Sequence, residues 1–337
     1  MIIHCLCRNA YSMTLIVFER NKKKIATVLL SSLLVILTAM IFLTGFSRNN
    51  NFIRYAEFNP TLPALKKAME IDIESYGTDH HLGWTDSLAY LSCIYYDDYS
   101  KYREKDLIDL YSRVKNGEKA ESILSSKKYY KFYKEIFNAV LSGMLGEFEE
   151  KDRTGKKVKK YGLIACSPIA KGFAYSEYDD FGASRSYGYK RKHLGHDMLC
   201  ETGTPIICIE DGIVECMGWN QYGGWRIGIR SKDKKRYYYY AHLRKNKPFH
   251  TDISVGKEVR AGDVIGYAGR TGYSAKENVN NIEIPHLHWG MELIFDESQK
   301  ECDNEIWINL YALTKLLAEN KSEVVRNPDT KEFYKAR

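Results

Sequence analysis

The sequence of 337 residues has no Cys-x-x-C pair and no zinc-knuckle spacing, although it contains eight cysteines. This argues against a structural zinc site built from cysteines. We expect most cysteines to act as small buried hydrophobic residues, although the sequence also permits disulfides. The chain also lacks a basic motif of the kind that reads nucleic acid, and its net charge of +7 is modest. These features predict no nucleic-acid partner and permit an anionic one.

One uncharged run near the start is long enough to cross a membrane. Residues 25–46, IATVLLSSLLVILTAMIFLTGF, exceed the apolar core of a signal peptide, which is about 7–15 residues, and no small-x-small cleavage site follows. We therefore expect an uncleaved, single-pass transmembrane anchor. Basic residues are concentrated before it, so residues 1–24 are expected in the cytoplasm and the remainder outside the membrane. A start at Met13 instead of Met1 is left open.

Residues 47–150 show a helical pattern after a short polar linker. Apolar residues recur every three or four positions, which predicts a small all-α domain of four or five helices. The recognisable segments are 63–76, 84–96, 105–118 and 127–148. A group of acidic residues and histidines is expected to form a solvated helix face and a loop rather than a second site: Glu70, Asp72, Glu74, His80 and His81.

The second half of the chain is rich in short β-type runs. Residues 151–185 begin with a dense run of charges and are interpreted as a connector, whereas residues 186–297 contain short apolar runs separated by Gly and Asp-Gly turns. Many short strands at close spacing predict an antiparallel sheet folded on itself. Within residues 298–337, segment 307–319 predicts a terminal helix. The expected fold is a mainly β domain preceded by a small all-α domain and one transmembrane helix.

The motif RKHLGHDML contains two polar residues that are an even number of positions apart, so that they share a face of a strand. His193 and Asp197 are four positions apart, a spacing that places them on one face of either a strand or a helix. Gly195 between them leaves room for a close approach. His196 has the opposite parity, so we expect it to point away as a structural or solvated histidine.

Two further motifs contribute histidines. In PHLHWG, His286 and His288 stand at i and i+2 of a strand and should face one space. They could be ordinary strand histidines, or share a metal, or divide metal binding and proton transfer between them. In RYYYYAHL, alternation predicts that His242 shares a face with Tyr238 and Tyr240. A loop position is expected for His250.

Together these residues match the needs of a catalytic zinc site, which has three protein ligands of nitrogen or oxygen type and one open position. His193, Asp197 and one histidine of the 286/288 pair supply that number and type. The remaining member of the pair and His242 supply imidazoles for proton transfer at neutral pH. The sequence therefore predicts one zinc ion per chain, in an open rather than a closed site.

Residues 187–295 resemble the lysostaphin/LytM-type family of peptidoglycan-cleaving zinc metallopeptidases. The resemblance rests on H-L-G-H-D with the following TGTP, and on DGIV, YGGW, YYAHL, VGKEVRAGDVIGYAGRTG and PHLH. It implies zinc ligands at His193, Asp197 and His288. It also implies that His242 and His286 act on the water and the developing oxyanion. Tyr187 is the nearest candidate for the tyrosine that assists there.

Two departures from the family pattern concern the substrate rather than the metal. Residues 275–284 extend a loop that is usually short, and WRIGIR follows YGGW where the family usually has an asparagine that contacts substrate.

The resemblance implies a membrane-anchored zinc endopeptidase that hydrolyses peptide cross-links of bacterial peptidoglycan, with an envelope protein as a possible partner of residues 47–150. Two alternatives stay open. One is a catalytically silent wall-binding, activator or sporulation-channel-like module. The other is a membrane-tethered structural protein whose β domain docks on the wall.

Overall fold

The computed structural model describes residues 52–300 and 304–336. The described residues from 53 onward belong to one compact unit. The predicted cytoplasmic segment and the predicted anchor at 25–46 lie outside the described residues. Within the described part of the chain, no helix is both long and apolar enough to span a membrane.

A helical region opens the described chain. Its segments follow the 3.6-residue spacing of apolar side chains, which places Leu65, Leu88, Leu107 and Val140 in the core. The region contains five α-helices within residues 52–300, which agrees with the predicted four or five. Their bounds are α1 Leu62–Ser75, α2 Trp84–Tyr95, α3 Glu104–Lys115, α4 Ala120–Ser125 and α5 Tyr130–Leu141.

The prediction that the last helix continues to residue 148 is wrong. The helix α5 ends at Leu141, and Gly143 follows with a φ of +86°, a left-handed conformation that glycine adopts without strain. Two antiparallel strands come next, β1 Leu145–Lys151 and β2 Lys157–Leu163. Their opposite charges pair across the strands, as in Glu149 with Lys157, at 2.7 Å. Part of the charged connector is thus a hairpin.

The interpretation of the acidic group in α1 as a solvated face is wrong for one member. Asp72 is only 3% exposed. Its Oδ2 accepts a hydrogen bond of 2.8 Å from the backbone N–H of Trp84, and its Oδ1 lies 2.9 Å from Nε2 of His81. A carboxylate at the first residue of α2 satisfies an N–H group that the helix itself cannot pair. Asp72 is therefore a structural cap between two helices.

Among the residues that the structure describes, the main sheet has eight strands, and all of its pairings are antiparallel, which confirms the predicted sheet type. The strand order is β11-β8-β9-β10-β13-β6-β3, with β14 also paired to β13. The remaining strands form two-stranded pairs. The bounds are β3 Tyr175–Glu177, β4 Ser184–Arg185, β5 Arg191–Lys192, β6 His196–Cys200, β7 Pro205–Ile207, β8 Gly212–Asn220, β9 Gly224–Ser231, β10 Arg236–Ala241, β11 Glu258–Val259, β12 Val264–Tyr267, β13 His286–Leu293, β14 Ile306–Trp307, β15 Val324–Arg326 and β16 Phe333–Lys335.

The C-terminal helix is shorter than predicted. Helix α6 spans Tyr311–Leu317, because Trp307 belongs to strand β14 and pairs with Glu292 of β13. The strand brings the chain back along the edge of β13 before the helix begins. The first residue of the segment predicted as a helix is thus part of the sheet.

The helices and the sheet share one hydrophobic core. At the joint, the side chain of Arg236 on β10 is fully buried, and its guanidinium contacts both carboxylate oxygens of Glu210 at 2.8 Å. Its Nη1 also donates to the carbonyl oxygen of Ala139 in the last turn of α5, at 2.7 Å. A cation at a helix C-terminus satisfies carbonyl groups that lack partners within the helix. This buried ion pair therefore anchors the helical region on the sheet.

The described cysteines are all unpaired, and Cys166, Cys200 and Cys208 are buried. Burial raises the pKa of the Cys200 thiol to about 11, so the neutral form predominates at pH 7. The expectation that most cysteines behave as buried hydrophobic residues holds for these three. Cys5, Cys7 and Cys302 lie outside the described residues.

Candidate metal centre

Three neighbouring strands carry the candidate site. In the antiparallel register, His288 of β13 lies opposite Asp197 of β6 on one side and opposite Ala241 of β10 on the other. His193 follows β5 directly, just before β6 begins. The sheet thus brings together motifs that are separated by about a hundred residues in the chain. No spacing rule within one motif specifies this register.

Three side chains meet at distances that suit a small cation. Nε2 of His193 lies 3.0 Å from Oδ1 of Asp197 and 2.9 Å from Nδ1 of His288, and the last two atoms are also 2.9 Å apart. Tetrahedral ligands at about 2.0–2.1 Å from zinc would be separated by about 3.3 Å, slightly more than these distances. The donors are two nitrogens and one oxygen, which is the set that catalytic zinc sites use. The residues therefore fit a zinc ion.

The electrostatic state of these side chains suits a cation. Burial alone would raise the pKa of the Asp197 carboxyl, but hydrogen bonding with His193 and His288 brings it well below its usual range. Burial lowers the pKa of His288, although the neighbouring Asp197 opposes that effect. An ionised carboxylate beside a neutral His288 imidazole suits a metal, which binds the deprotonated forms of both groups.

Gly195 permits this assembly. A Cβ atom at this position would lie 2.5 Å from both Cε1 and Nε2 of His288 and 2.8 Å from the carbonyl oxygen of Trp289. No side chain fits at those distances without displacing the His288 ring. The predicted close approach at Gly195 is confirmed.

The other two histidines lie beside this group, and each contacts a backbone carbonyl oxygen through Nδ1. The rings of His242 and His286 are 4.7 Å apart between centroids. Nδ1 of His242 lies 2.9 Å from the carbonyl oxygen of Thr271, and Nδ1 of His286 lies 2.8 Å from that of Ile284. A carbonyl can only accept, so in each ring Nδ1 carries a hydrogen, and in the neutral form of the ring Nε2 is the acceptor.

His242 is also kept neutral. Burial, together with the neighbouring His286, holds the pKa of His242 well below its usual range. Nε2 of His286 lies 3.8 Å from Oδ1 of Asp197, which places that acceptor near the three candidate ligands. The chain thus presents two basic nitrogens next to a candidate metal position.

The face predicted for His242 is wrong. Strand β10 ends at Ala241, and His242 has a φ of +59°, so the regular alternation of side chains stops there. Its ring then lies on the side of Tyr239 and Ala241, which line the cleft. Tyr238 and Tyr240 point away into the core, where the Tyr238 hydroxyl donates to Glu210 at 2.5 Å.

The ring of Tyr273 lies between Tyr187 and His242. It stacks on Tyr273 with centroids 5.0 Å apart, and Tyr273 in turn lies 5.8 Å from the His242 ring. The tyrosine in contact with His242 is therefore Tyr273, which follows the TG pair of VGKEVRAGDVIGYAGRTG and received no role from the sequence.

The remaining histidines of the β-rich half take no part in this group. His196 points away, as its parity predicts, and its Nε2 lies 2.8 Å from Oε2 of Glu177. His250 lies in a loop, as predicted, but it is buried and has a partner, because its Nδ1 accepts a hydrogen bond of 3.1 Å from the backbone N–H of Asp252.

Comparison with known proteins identifies the β-rich half. Residues 191–301 match the model of peptidase family M23. The chain carries a peptidase M23 domain. This confirms the family resemblance drawn from the sequence motifs.

Two curated relatives are similar to part of this chain. The L-Ala--D-Glu endopeptidase of Bacillus subtilis (strain 168) is 37% identical over 153 residues, which cover 44% of each chain. Lysostaphin of Staphylococcus staphylolyticus is 37% identical over 98 residues, which cover 29% of this chain and 18% of the relative. The chain thus spans less than half of the length of either relative.

A solved structure extends the comparison to the fold as a whole. A Ruminococcus gnavus protein provisionally named glycyl-glycine endopeptidase LytM superposes with a TM-score of 0.53 at 19% identity. The superposition covers 82% of this chain and 92% of the other. Because 82% is far more than the M23 domain, the shared fold includes part of the helical region.

Two residues that hold the M23 site in place were not anticipated from the sequence. Nδ1 of His193 lies 3.3 Å from the backbone carbonyl oxygen of Asp180 and 3.1 Å from its carboxylate Oδ1, and these contacts leave Nε2 of the ring available for a metal. Arg185 contacts Asp180 at 2.5 Å and Oδ2 of Asp197 at 3.3 Å. Both residues lie in the stretch interpreted as a connector, where no periodic pattern marks them.

The cleft in front of the M23 site has a volume of about 340 Å³. Its lining includes Trp307, whose ring lies 6.1 Å from that of Tyr239. The C-terminal segment therefore forms one wall of the cleft. The sequence offered no sign of this, because Trp307 stands inside a segment with a helical pattern.

We expect Asp180→Asn to weaken zinc binding by about 10–100-fold, the usual effect of removing a carboxylate that orients a metal-binding histidine. The amide keeps the size of the side chain but loses the charge that faces Nδ1 of His193. Competition with a chelator of known affinity measures the change. Asp179→Asn, at an exposed neighbouring carboxylate, is the matched control. Equal zinc affinity of the two variants would contradict the role of Asp180.

Proposed function

We propose that this protein is a zinc-dependent endopeptidase that hydrolyses peptide bonds of bacterial peptidoglycan. The observation that carries the proposal is the convergence of His193, Asp197 and His288 with two further histidines, His242 and His286, at one cleft. The names of the relatives support the substrate class, since they include an L-Ala--D-Glu endopeptidase, a glycyl-glycine endopeptidase and a peptidoglycan DD-endopeptidase.

In this mechanism, His193, Asp197 and His288 would hold the zinc ion. When bound, zinc would lower the pKa of a water molecule toward about 7 and polarise a carbonyl group. His242 and His286 would accept and return protons through Nε2, because their Nδ1 atoms are engaged by backbone carbonyls. Burial keeps His242 neutral and therefore able to accept a proton at pH 7.

A catalytically silent wall-binding or activator module is the second reading of such a domain. Loss of one or more ligands or catalytic histidines would favour it. Here all five side chains are present, and the two that are not candidate ligands have their acceptor nitrogens free. The observations favour the enzyme.

The proposal includes anchoring in the bacterial cell membrane through residues 25–46, with the M23 domain outside the cytoplasm. Its support is the uncharged sequence of this segment and the basic residues before it. Full-length protein should then sediment with membranes, and external protease should remove the chain beyond about residue 47 from cells stripped of wall. Recovery of a soluble form beginning near residue 47 would show a cleaved signal instead.

Digestion of purified muropeptides by the full-length protein, with mass analysis of the products, tests the activity. New products that gain the mass of one water and appear only with zinc are expected. Full zinc occupancy without any new product from cross-linked or uncross-linked muropeptides would contradict the enzymatic reading.

A further inference from the structure

The rim of the cleft carries a guanidinium group in an unusual setting. The Cζ atom of Arg191 lies 4.8 Å from the ring centroid of Tyr222 and 5.3 Å from that of Tyr273. Its Nη1 donates to the carbonyl oxygen of Tyr187 at 2.7 Å. Two aromatic faces and one carbonyl thus restrict the position of the group, while its other N–H donors stay available.

The charged residues around the cleft differ in whether they are paired with an opposite charge. Among the lining residues, Arg185 is engaged by Asp180 and Asp197. Glu305 accepts a hydrogen bond from the Trp307 indole at 2.8 Å, on the wall that Trp307 forms with Tyr239. In the described part of the chain, Arg191 and the exposed Lys192 beside it form no ion pair. The rim next to Tyr222 and Tyr273 is therefore cationic and unneutralised.

We propose that Arg191, held over Tyr222 and Tyr273, binds a free carboxylate of the peptide substrate and makes acidic peptides the preferred substrates. A guanidinium fork binds a carboxylate through two parallel hydrogen bonds, and an immobilised fork loses little entropy when it does so. Lys192 adds positive charge on the same rim. The inference rests on the proposed peptidase function and specifies its substrate class.

The position of Arg191 limits where that carboxylate lies along the substrate. The guanidinium is 5.3 Å from Tyr273, and Tyr273 is 5.8 Å from His242. Because an extended peptide advances about 3.3–3.6 Å per residue, these two contacts correspond to at most about three residues. The carboxylate therefore belongs to a residue within about three positions of the bond that is cut.

Paired synthetic peptides test the proposal with the full-length zinc-loaded protein. Each pair has one sequence, with either a free carboxylate or a carboxamide, placed on a glutamate side chain in one series and at the C-terminus in another. We expect the free acid to be cleaved with a kcat/KM about 10–100-fold higher, the usual range for a hydrogen bond to a charged group. The series that shows the preference identifies which carboxylate is bound.

Variants of the rim complete the test. Arg191→Gln should bring the acid-to-amide ratio close to one, chiefly by slowing cleavage of the acid peptide, and should leave zinc content unchanged, whereas Arg191→Lys should retain part of the preference. Lys190→Gln removes a neighbouring exposed cation outside the cleft lining and should keep the full ratio. An equal fall in both rates for Arg191→Gln would indicate a structural role and contradict the proposal.

The outcomes also separate this inference from the function on which it rests. Failure to cleave any peptide contradicts the peptidase function itself. Cleavage of acid and amide peptides at equal rates contradicts only the role of Arg191. The rate of cleavage could also depend on Arg191 only with intact walls that carry phosphate polymers, and not with isolated peptides. That result would assign the rim to polymer phosphate and overturn the proposal.

Discussion

Replacing His193, Asp197 or His288 with alanine is expected to remove zinc and abolish hydrolysis. The three donor atoms lie within 3.0 Å of one another, so each removal leaves only two protein ligands. A catalytic zinc site needs three, and zinc content should fall from about one equivalent per chain to a small fraction. Metal analysis and muropeptide turnover on the same preparations measure both effects.

A histidine on the same strand as Asp197 provides the control. His196→Gln keeps a side chain able to donate to Glu177 and lies on the other face of β6, so it should retain zinc and activity. Circular dichroism of every variant distinguishes metal loss from unfolding. Normal zinc content in the His193 variant would refute the ligand assignment.

Alanine at His242 or His286 is expected to spare the metal and suppress the reaction. Each substitution removes a free Nε2 acceptor beside the candidate zinc position and leaves His193, Asp197 and His288 intact. Positioned acid–base groups and oxyanion donors are each worth about 10²–10⁴ in rate. The rate should fall by this factor while zinc stays near one equivalent per chain.

The same two variants test the division of roles within PHLH. Loss of zinc from His286→Ala, with zinc retained in His288→Ala, would exchange the assignments of the two histidines. Unchanged turnover in both the His242 and the His286 variants would refute the catalytic reading of this cleft. Two cleft side chains could fill the vacated space: Tyr273, whose ring is 5.8 Å from that of His242, and Tyr239, whose ring is 6.0 Å from that of His288.

The local motifs predicted much of the site because they encode side-chain direction over short distances. The parity of His193 and Asp197 against His196 agrees with the structure, and the glycine between them has the steric reason expected for it. Parity failed at His242, where a single left-handed residue after β10 redirects the ring. Alternation applies only while the backbone stays extended, and one residue at positive φ is enough to end it.

The role of Asp180 shows where sequence reasoning reached its limit. Its contact with His193 spans thirteen positions that contain only the two-residue strands β4 and β5, which are too short to show a periodic pattern in the sequence. Trp307 is a related case. It stands in a segment with a helical pattern, but it forms a short strand because it pairs with the edge of β13. Pairing of this kind depends on the partner strand rather than on the segment itself.

The amino-acid sequence by itself determined the residue types of the metal group, the antiparallel β character of the second half, and the helices before it. These properties depend on local spacing and on side-chain chemistry. Only the tertiary structure decided which strands are neighbours, and therefore that His288 lies between Asp197 and Ala241. It also decided that the helical region is anchored on the sheet through Arg236, and that Arg191 is held over two tyrosines at the rim. Register and packing between distant segments lower the free energy only in the assembled fold, so no local pattern specifies them.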